Sequence, residues 1–205
     1  IISLGGIVVS DSLRVAGDDM DINIRDYIKS KYKMDIGLVT AEKIKKVLGN
    51  ADEKYYSNIE NVKKIKKDKE NNIVDEDNED NKDNEDNEDN EVKIEAIKFQ
   101  KSMEIRGRDI VSGLPLCITV THEEIRESIL ETVNNIVNAI KRVLEKTPPE
   151  LAADLYTNGI YLTGGGALLK GLDIYIEEQS GLKVHIADNP LHCVVLGAGK
   201  ICEDL

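Results

Sequence analysis

The sequence predicts an α/β fold, and three observations carry the prediction. From Gly159 to Ala187 an apolar strand, a glycine turn, a helical segment and a second strand follow one another, the order of a parallel β–α–β unit. Between Ile125 and Leu144, apolar residues recur every three to four positions (Ile125, Ile129, Val133, Ile136, Val137, Ile140, Leu144), the spacing of one helix face. The chain is 40% hydrophobic but only 4% aromatic, with no Trp and one Phe, so its core must be aliphatic.

The elements follow in order. Ile1 to Ser10 reads as a β-hairpin turning at Gly5-Gly6, where φ > 0 is tolerated, and Ser12 to Ala16 as a continuation of its second strand. After Gly17, the acids Asp18, Asp19 and Asp21 open a helix at the end where its dipole favours negative charge; Met20, Ile24, Tyr27, Ile28 and Tyr32 form its buried stripe. Thr40 to Gly49 is a short helix with Thr40 as N-cap and Gly49 as its stop. Met103 to Asp109 and Leu116 to Val120 are strands joined by a turn at Gly113. Thr121-His122-Glu123-Glu124 is a capping box opening the long helix, with His122 exposed in its first turn. Pro148-Pro149 ends that helix and starts a shorter one reaching Asn158-Gly159. Beyond the glycines, a helix is expected from about Leu168 to Gln179, a strand at Lys183–Ala187 and a largely buried last helix from Leu191 to about Cys202, in which Gly197 and Gly199 suggest close packing.

Charge divides the chain unevenly. The net charge is -12, yet residues 75–91 hold eleven acids against Lys82 alone, a local -10 that leaves about -2 for the rest. Residues 52–93, Lys-rich and then acidic, carry almost no apolar surface to offset the entropy of ordering and are expected to be disordered. The balance argues against nucleic-acid binding, which needs a basic surface. Cys117, Cys193 and Cys202 are far apart and flanked by apolar residues, so buried thiols in a reducing, intracellular setting are expected. No Cys/His cluster suggests a metal site, and no run approaches the roughly 20 apolar residues of a membrane span. The chain opens without Met, as a fragment or a truncated product would.

No nucleophile–base arrangement stands out. The chemistry gathers instead at Gly164-Gly165-Gly166, where a strand end meets a helical segment. Three consecutive glycines suit a tight turn, and equally a backbone that something approaches closely; free amides there would favour negative charge or a ring lying on the chain. The spacing is neither GxGxxG nor a Walker loop.

The residues around it carry a resemblance. Ile160-Tyr161-Leu162-Thr163-Gly164-Gly165-Gly166-Ala167-Leu168-Leu169-Lys170-Gly171-Leu172 resembles the adenosine motif of actin-like ATPases, specifically the MreB/Mbl family of bacterial rod-shape proteins. Gly17-Asp18-Asp19-Met20-Asp21, Thr40-Ala41-Glu42-Lys43-Ile44-Lys45, Glu104 to Asp109, Lys146 to Asp154 and Ala187 to Val194 resemble other segments of it. The resemblance implies an actin-like ATPase fold (ribonuclease H-like) of which this is the C-terminal half. Residues 1–20 and 121–205 would form a larger α/β subdomain, residues 21–51 and 94–120 a smaller α+β lobe, and 52–93 an insertion. It further implies ATP, with Gly164, Gly165, Gly166 and Ala167 against the adenosine and Glu42, Lys43, Ile44 and Lys45 closing over base and ribose. Mg2+ would belong with the segments absent from this sequence, since neither phosphate loop nor the catalytic glutamate helix is found in it. Family partners would be further copies in filaments, RodZ, MreC and MreD-type elongation proteins and, through the other half, the inner membrane surface; the location would be cytoplasmic and membrane-associated. Other actin-fold ATPases, such as a chaperone or a sugar kinase, and a degenerate filament-binding module without nucleotide turnover are the alternatives.

Overall fold

The computed structural model describes residues 1–55 and 100–203. The insertion from Tyr56 onward and the apolar residues Ile94 to Phe99 lie outside them.

A short hairpin comes first, β1 (Ile2–Ser3) against β2 (Gly6–Ile7). Its turn is Leu4-Gly5, with φ of 51° and 77°, one residue earlier than expected from the glycine pair. Residues 8 to 16 form no strand: among the described residues no backbone ladder forms along them beyond the bonds of Val8 and Val9 with Ile1. Helix α1 (Gly17–Tyr32) follows, its entry fixed by the Ala16 amide donating to Asp19 Oδ2 at 2.8 Å and its exit by Lys33 in the left-handed region. As predicted, Met20, Ile24 and Ile28 are buried and Tyr27 and Tyr32 partly so. After β3 (Met34–Asp35), helix α2 (Leu38–Leu48) begins at Gly37 rather than Thr40; the amides of Thr40 and Ala41 both donate to the Gly37 carbonyl.

Strands β4 (Ser102–Asp109) and β5 (Pro115–Thr121) pair as the expected hairpin, with Ile105 opposite Ile118, and β3 adds to the other edge of β4. Gly107 is required there: a Cβ would lie 2.5 Å from the Asp35 carbonyl oxygen and 2.6 Å from Met34. Thr121 ends β5 and caps helix α3 (His122–Glu145); the capping box with Glu124 is formed. Three helices then close on the sheet through Ile24, Ile28, Ile44, Leu48, Val120, Ile125, Ile129 and Val133, all fully buried.

Helix α4 (Pro149–Asn158) starts on proline as predicted. It leads to β6 (Ile160–Leu162), a single turn of 3-10 helix (Gly165–Leu168), α5 (Leu172–Ser180), β7 (Val184–Ile186) parallel to β6, and α6 (Cys193–Glu203). Three expectations are corrected here. α5 begins at Leu172, about four residues late, because Gly171 takes a left-handed conformation and Leu169-Lys170 is held extended against the end of α2. α6 buries none of its residues: Val194, Val195, Leu196 and Ile201 are 57–79% exposed and a Cβ on Gly197 or Gly199 would meet open space. Its apolar composition marks a face to be covered, and among the described residues nothing covers it. Cys117 and Cys202 are exposed and Cys193 half-buried, so the thiols are not core groups; Cys117 donates to Glu104, which lifts its pKa above the ordinary thiol value.

His122 is also corrected, from exposed to buried, since its amide donates to Lys101 O at 2.9 Å and its carbonyl faces the buried amide of Asn50. His185 does lie in a strand, with its ring 5.0 Å from that of Tyr161.

Candidate functional site

The glycine turn is set by the parallel pair. Strand β6 delivers Gly164 with φ 80° and ψ 178°, a backbone conformation that side chains disfavour. The Gly164 amide donates to Pro190 O at 2.7 Å and the Ala187 amide to Leu162 O at 3.1 Å, so the turn is fastened to the loop leaving β7. The 3-10 turn closes with Ala167 N to Gly164 O and Leu169 N to Gly166 O, at 3.2 and 3.1 Å. The amides of Gly165 and Gly166 have no partner among the described residues, and a Cβ built on Gly164 or Gly166 would meet nothing within 4 Å. Ala167, by contrast, is buried at 3% exposure. The turn thus offers two unspent donors and a bare backbone face to solvent. Because the α-helix starts only at Leu172, the donors belong to one 3-10 turn and receive little macrodipole support.

Helix α2 places its four predicted residues in different environments. Glu42 and Lys46 form an exposed i,i+4 ion pair at 2.7 Å, and the Lys46 ammonium hydrogen-bonded to Glu42 holds its carboxyl below the ordinary value. Lys43 is exposed, whereas Ile44 is fully buried and faces the core. Lys45 turns inward: its ammonium donates to Gly17 O at 2.8 Å and to Asp21 Oδ2 at 2.9 Å.

What brings α2 to the glycine turn is a junction that sequence reasoning missed. Asn50 bridges to Lys170 as a parallel pair, the Ala51 amide donates to Lys170 O at 2.8 Å, and the Lys170 ammonium donates to Val47 O at 2.5 Å. That lysine caps the C-terminal end of α2, where a cation is favoured, and burial pushes its pKa down. A lone Lys inside the apolar run Leu168 to Leu172 was the available signal. The junction holds the end of α2 at Lys170, two residues beyond the turn, while no hydrogen bond or ion pair joins Glu42 or Lys43 to residues 164–167 among those described. A separate groove of about 750 Å3 is lined by Ile2, Ile140, Val143, Leu155 and Tyr161 among others, and by none of residues 164–168.

Among the described residues no group of three or more His, Cys, Asp or Glu could hold a metal ion, and no helix is long and apolar enough to cross a membrane.

A β–α–β unit with a bare glycine turn, joined to a helical bundle on a small antiparallel sheet, defines an actin-like fold, and comparison with solved structures bears this out. MreB 5 of Spiroplasma citri bound to AMPPNP superposes with a TM-score of 0.71 at 37% identity over 98% of this chain and 47% of that one. The MamK double helical filament superposes with a TM-score of 0.65 over 99% of this chain and 50% of that one; at 16% identity it speaks to the fold alone. The family model for MreB/Mbl protein matches residues 1–77 and 84–205, and the chain belongs to that family. Cell shape-determining protein Mbl of Bacillus cereus is 39% identical over 205 residues, and MreB of Escherichia coli 36% identical over 203. The chain spans about half the length of these relatives, 49% and 46% respectively.

Proposed function

We propose that this chain is the adenosine-binding part of an ATP-dependent, filament-forming cell-shape protein. The observation that carries the reading is the glycine turn, with two unpartnered amides and no atom over Gly164 or Gly166. Two structures similar to this chain, both of Spiroplasma citri MreB 5, are of AMPPNP- and ADP-bound protein, which supports a nucleotide as the occupant. In this reading the base and ribose lie on Gly164–Ala167. Glu42 and Lys43 face them from α2, Ile44 supports α2 from the core, and Lys45 acts from beneath. ATP brings the hydrolysable phosphates; the residues described here bind and orient the nucleoside. Mg2+ and phosphate contacts would come from sequence beyond this chain.

The same reading assigns residues 1–20 and 121–205 to a larger subdomain and 21–51 with 94–120 to a smaller lobe. Copies assemble into filaments at the inner membrane surface, where RodZ, MreC and MreD-type proteins couple them to cell-wall elongation. The test is calorimetric titration of ATP into the 205-residue chain and into a Gly166→Leu variant. Binding by the chain alone is expected to be weaker than micromolar, because it spans half its relatives' length, and to vanish in the variant. Micromolar binding that survives Gly166→Leu would show the turn is not the seat.

A further inference from the structure

We propose that Lys45 is a positioning residue, a clamp that fixes the first turn of α1 to α2 beneath the nucleotide site, and that it acts on nucleotide without touching it. The inference rests on the nucleotide reading above and assigns to Lys45 a different role from direct contact with base or ribose. Three observations carry it. First, the Lys45 side chain is 16% exposed and both of its hydrogen bonds run inward, to Gly17 O and Asp21 Oδ2. Second, Asp21 is itself 7% exposed with its other oxygen, Oδ1, buried and unpartnered, so this carboxylate depends on Lys45 for neutralisation. Burying a carboxylate without its cation is strongly unfavourable, which holds the ammonium in place. Third, among the described residues no other hydrogen bond or ion pair joins Gly17–Asp21 to α2, the remaining α1–α2 contact being apolar packing; one turn later Asn23 donates to Thr132 Oγ1 on α3 at 2.9 Å. Removing Lys45 would leave Gly17–Asp21 held to α2 by apolar packing alone, with the Asp21 carboxylate buried and without its cation. The neighbour Lys46, with its side chain 68% exposed, serves as an internal contrast.

The experiment is lysine footprinting of the folded 205-residue chain with an amine-acylating reagent, read by mass spectrometry with and without ATP, next to amide exchange of residues 17–21. Without nucleotide, Lys45 should react about tenfold more slowly than Lys46, as a group shielded except on local opening. Asp21→Asn should bring Lys45 towards the Lys46 rate and speed exchange of the first turn of α1. In a nucleotide-binding form of the protein, Lys45→Arg should keep affinity within about threefold and Lys45→Met should lose about tenfold or more. Lys45 reacting as fast as Lys46 in the free chain, and becoming shielded only when ATP is added, would overturn the clamp in favour of direct contact. Lys45→Arg losing affinity as fully as Lys45→Met, with exchange at 17–21 unchanged, would do the same. If no form binds ATP while Lys45 stays shielded and Asp21→Asn exposes it, the clamp stands and the nucleotide reading fails.

Discussion

Two alanines placed at glycines should act with opposite sign. Gly49 ends α2 with φ -58° and ψ 131°, angles any residue accepts, so its reason for being glycine is space. A Cβ there would overlap the Lys45 carbonyl oxygen and stand 3.1 Å from the Lys45 carbonyl carbon and 3.2 Å from Leu169 Cδ1. Backbone cannot rotate away as a side chain can, so the end of α2 must shift, and with it the two bonds to Lys170. Overpacking of this kind costs about 1–3 kcal/mol, and strained junction hydrogen bonds add about 1 kcal/mol, so Gly49→Ala should destabilise by roughly 2–4 kcal/mol. At this chain length that lowers Tm by roughly 4–15 °C. Gly199, inside α6, meets nothing within 4 Å, and alanine there gains helix propensity: Gly199→Ala should be neutral or stabilise by up to about 1 kcal/mol. The assay is urea and thermal unfolding by far-UV circular dichroism, since the chain has no Trp to report. Gly49→Ala within about 0.5 kcal/mol of the parent, or Gly199→Ala as damaging as Gly49→Ala, would refute the reasoning.

Other outcomes are expected. Burial works to raise the Glu124 pKa, but hydrogen bonds from Lys31, Tyr32 and the Thr121 amide outweigh it and hold the carboxyl below its ordinary 4.5. Its stabilising contribution is therefore complete above the ordinary value and lost as pH falls through the lower folded one; a urea midpoint measured from pH 6 to pH 3 should fall, and Glu124→Gln should flatten that slope. Ile129, on α3, is fully buried in the core, so Ile129→Ala should cost about 2–5 kcal/mol in the same unfolding assay. Deleting residues 70–92, mostly acids and asparagines, should leave the melting temperature nearly unchanged, and a drop of several degrees would contradict the compositional argument.

The parts of the fold legible in the sequence are those specified by neighbours in the chain. The capping box Thr121–Glu124, the Ile125–Val137 stripe, proline at the start of α4 and the β4–β5 hairpin each rest on interactions within a few residues, and each formed where predicted. The misreadings concern partners far along the chain. Ser12 to Ala16 has strand-forming residues, but among the described residues no strand pairs with it. Leu168 to Gly171 has helical composition, yet Asn50 and Ala51, more than a hundred positions earlier, hold Lys170 extended. Periodicity marks Val194, Val195 and Ile201 as apolar but cannot say what lies over them. The candidate site shows the same division. The glycine turn was legible because glycine has few local reasons to come in threes. The inward swing of Lys45 was not, because it depends on Asp21 and Gly17 on another helix.

Thr121 belongs to β5 and to the N-cap of α3 at once, with no loop residue between strand and helix. A hinge needs free torsions, and here the threonine hydroxyl, the Glu124 carboxylate and the ladder to Ser102 occupy them. The hairpin and the 24-residue helix therefore move as one lever, with the helix arm about 36 Å long. A push on the Asp109–Leu114 tip is not absorbed at the joint; it reappears as a tilt of α3, and so as a displacement of Asn134 and the Tyr175 hydroxyl it accepts from at 2.7 Å, on the helix that follows the glycine turn.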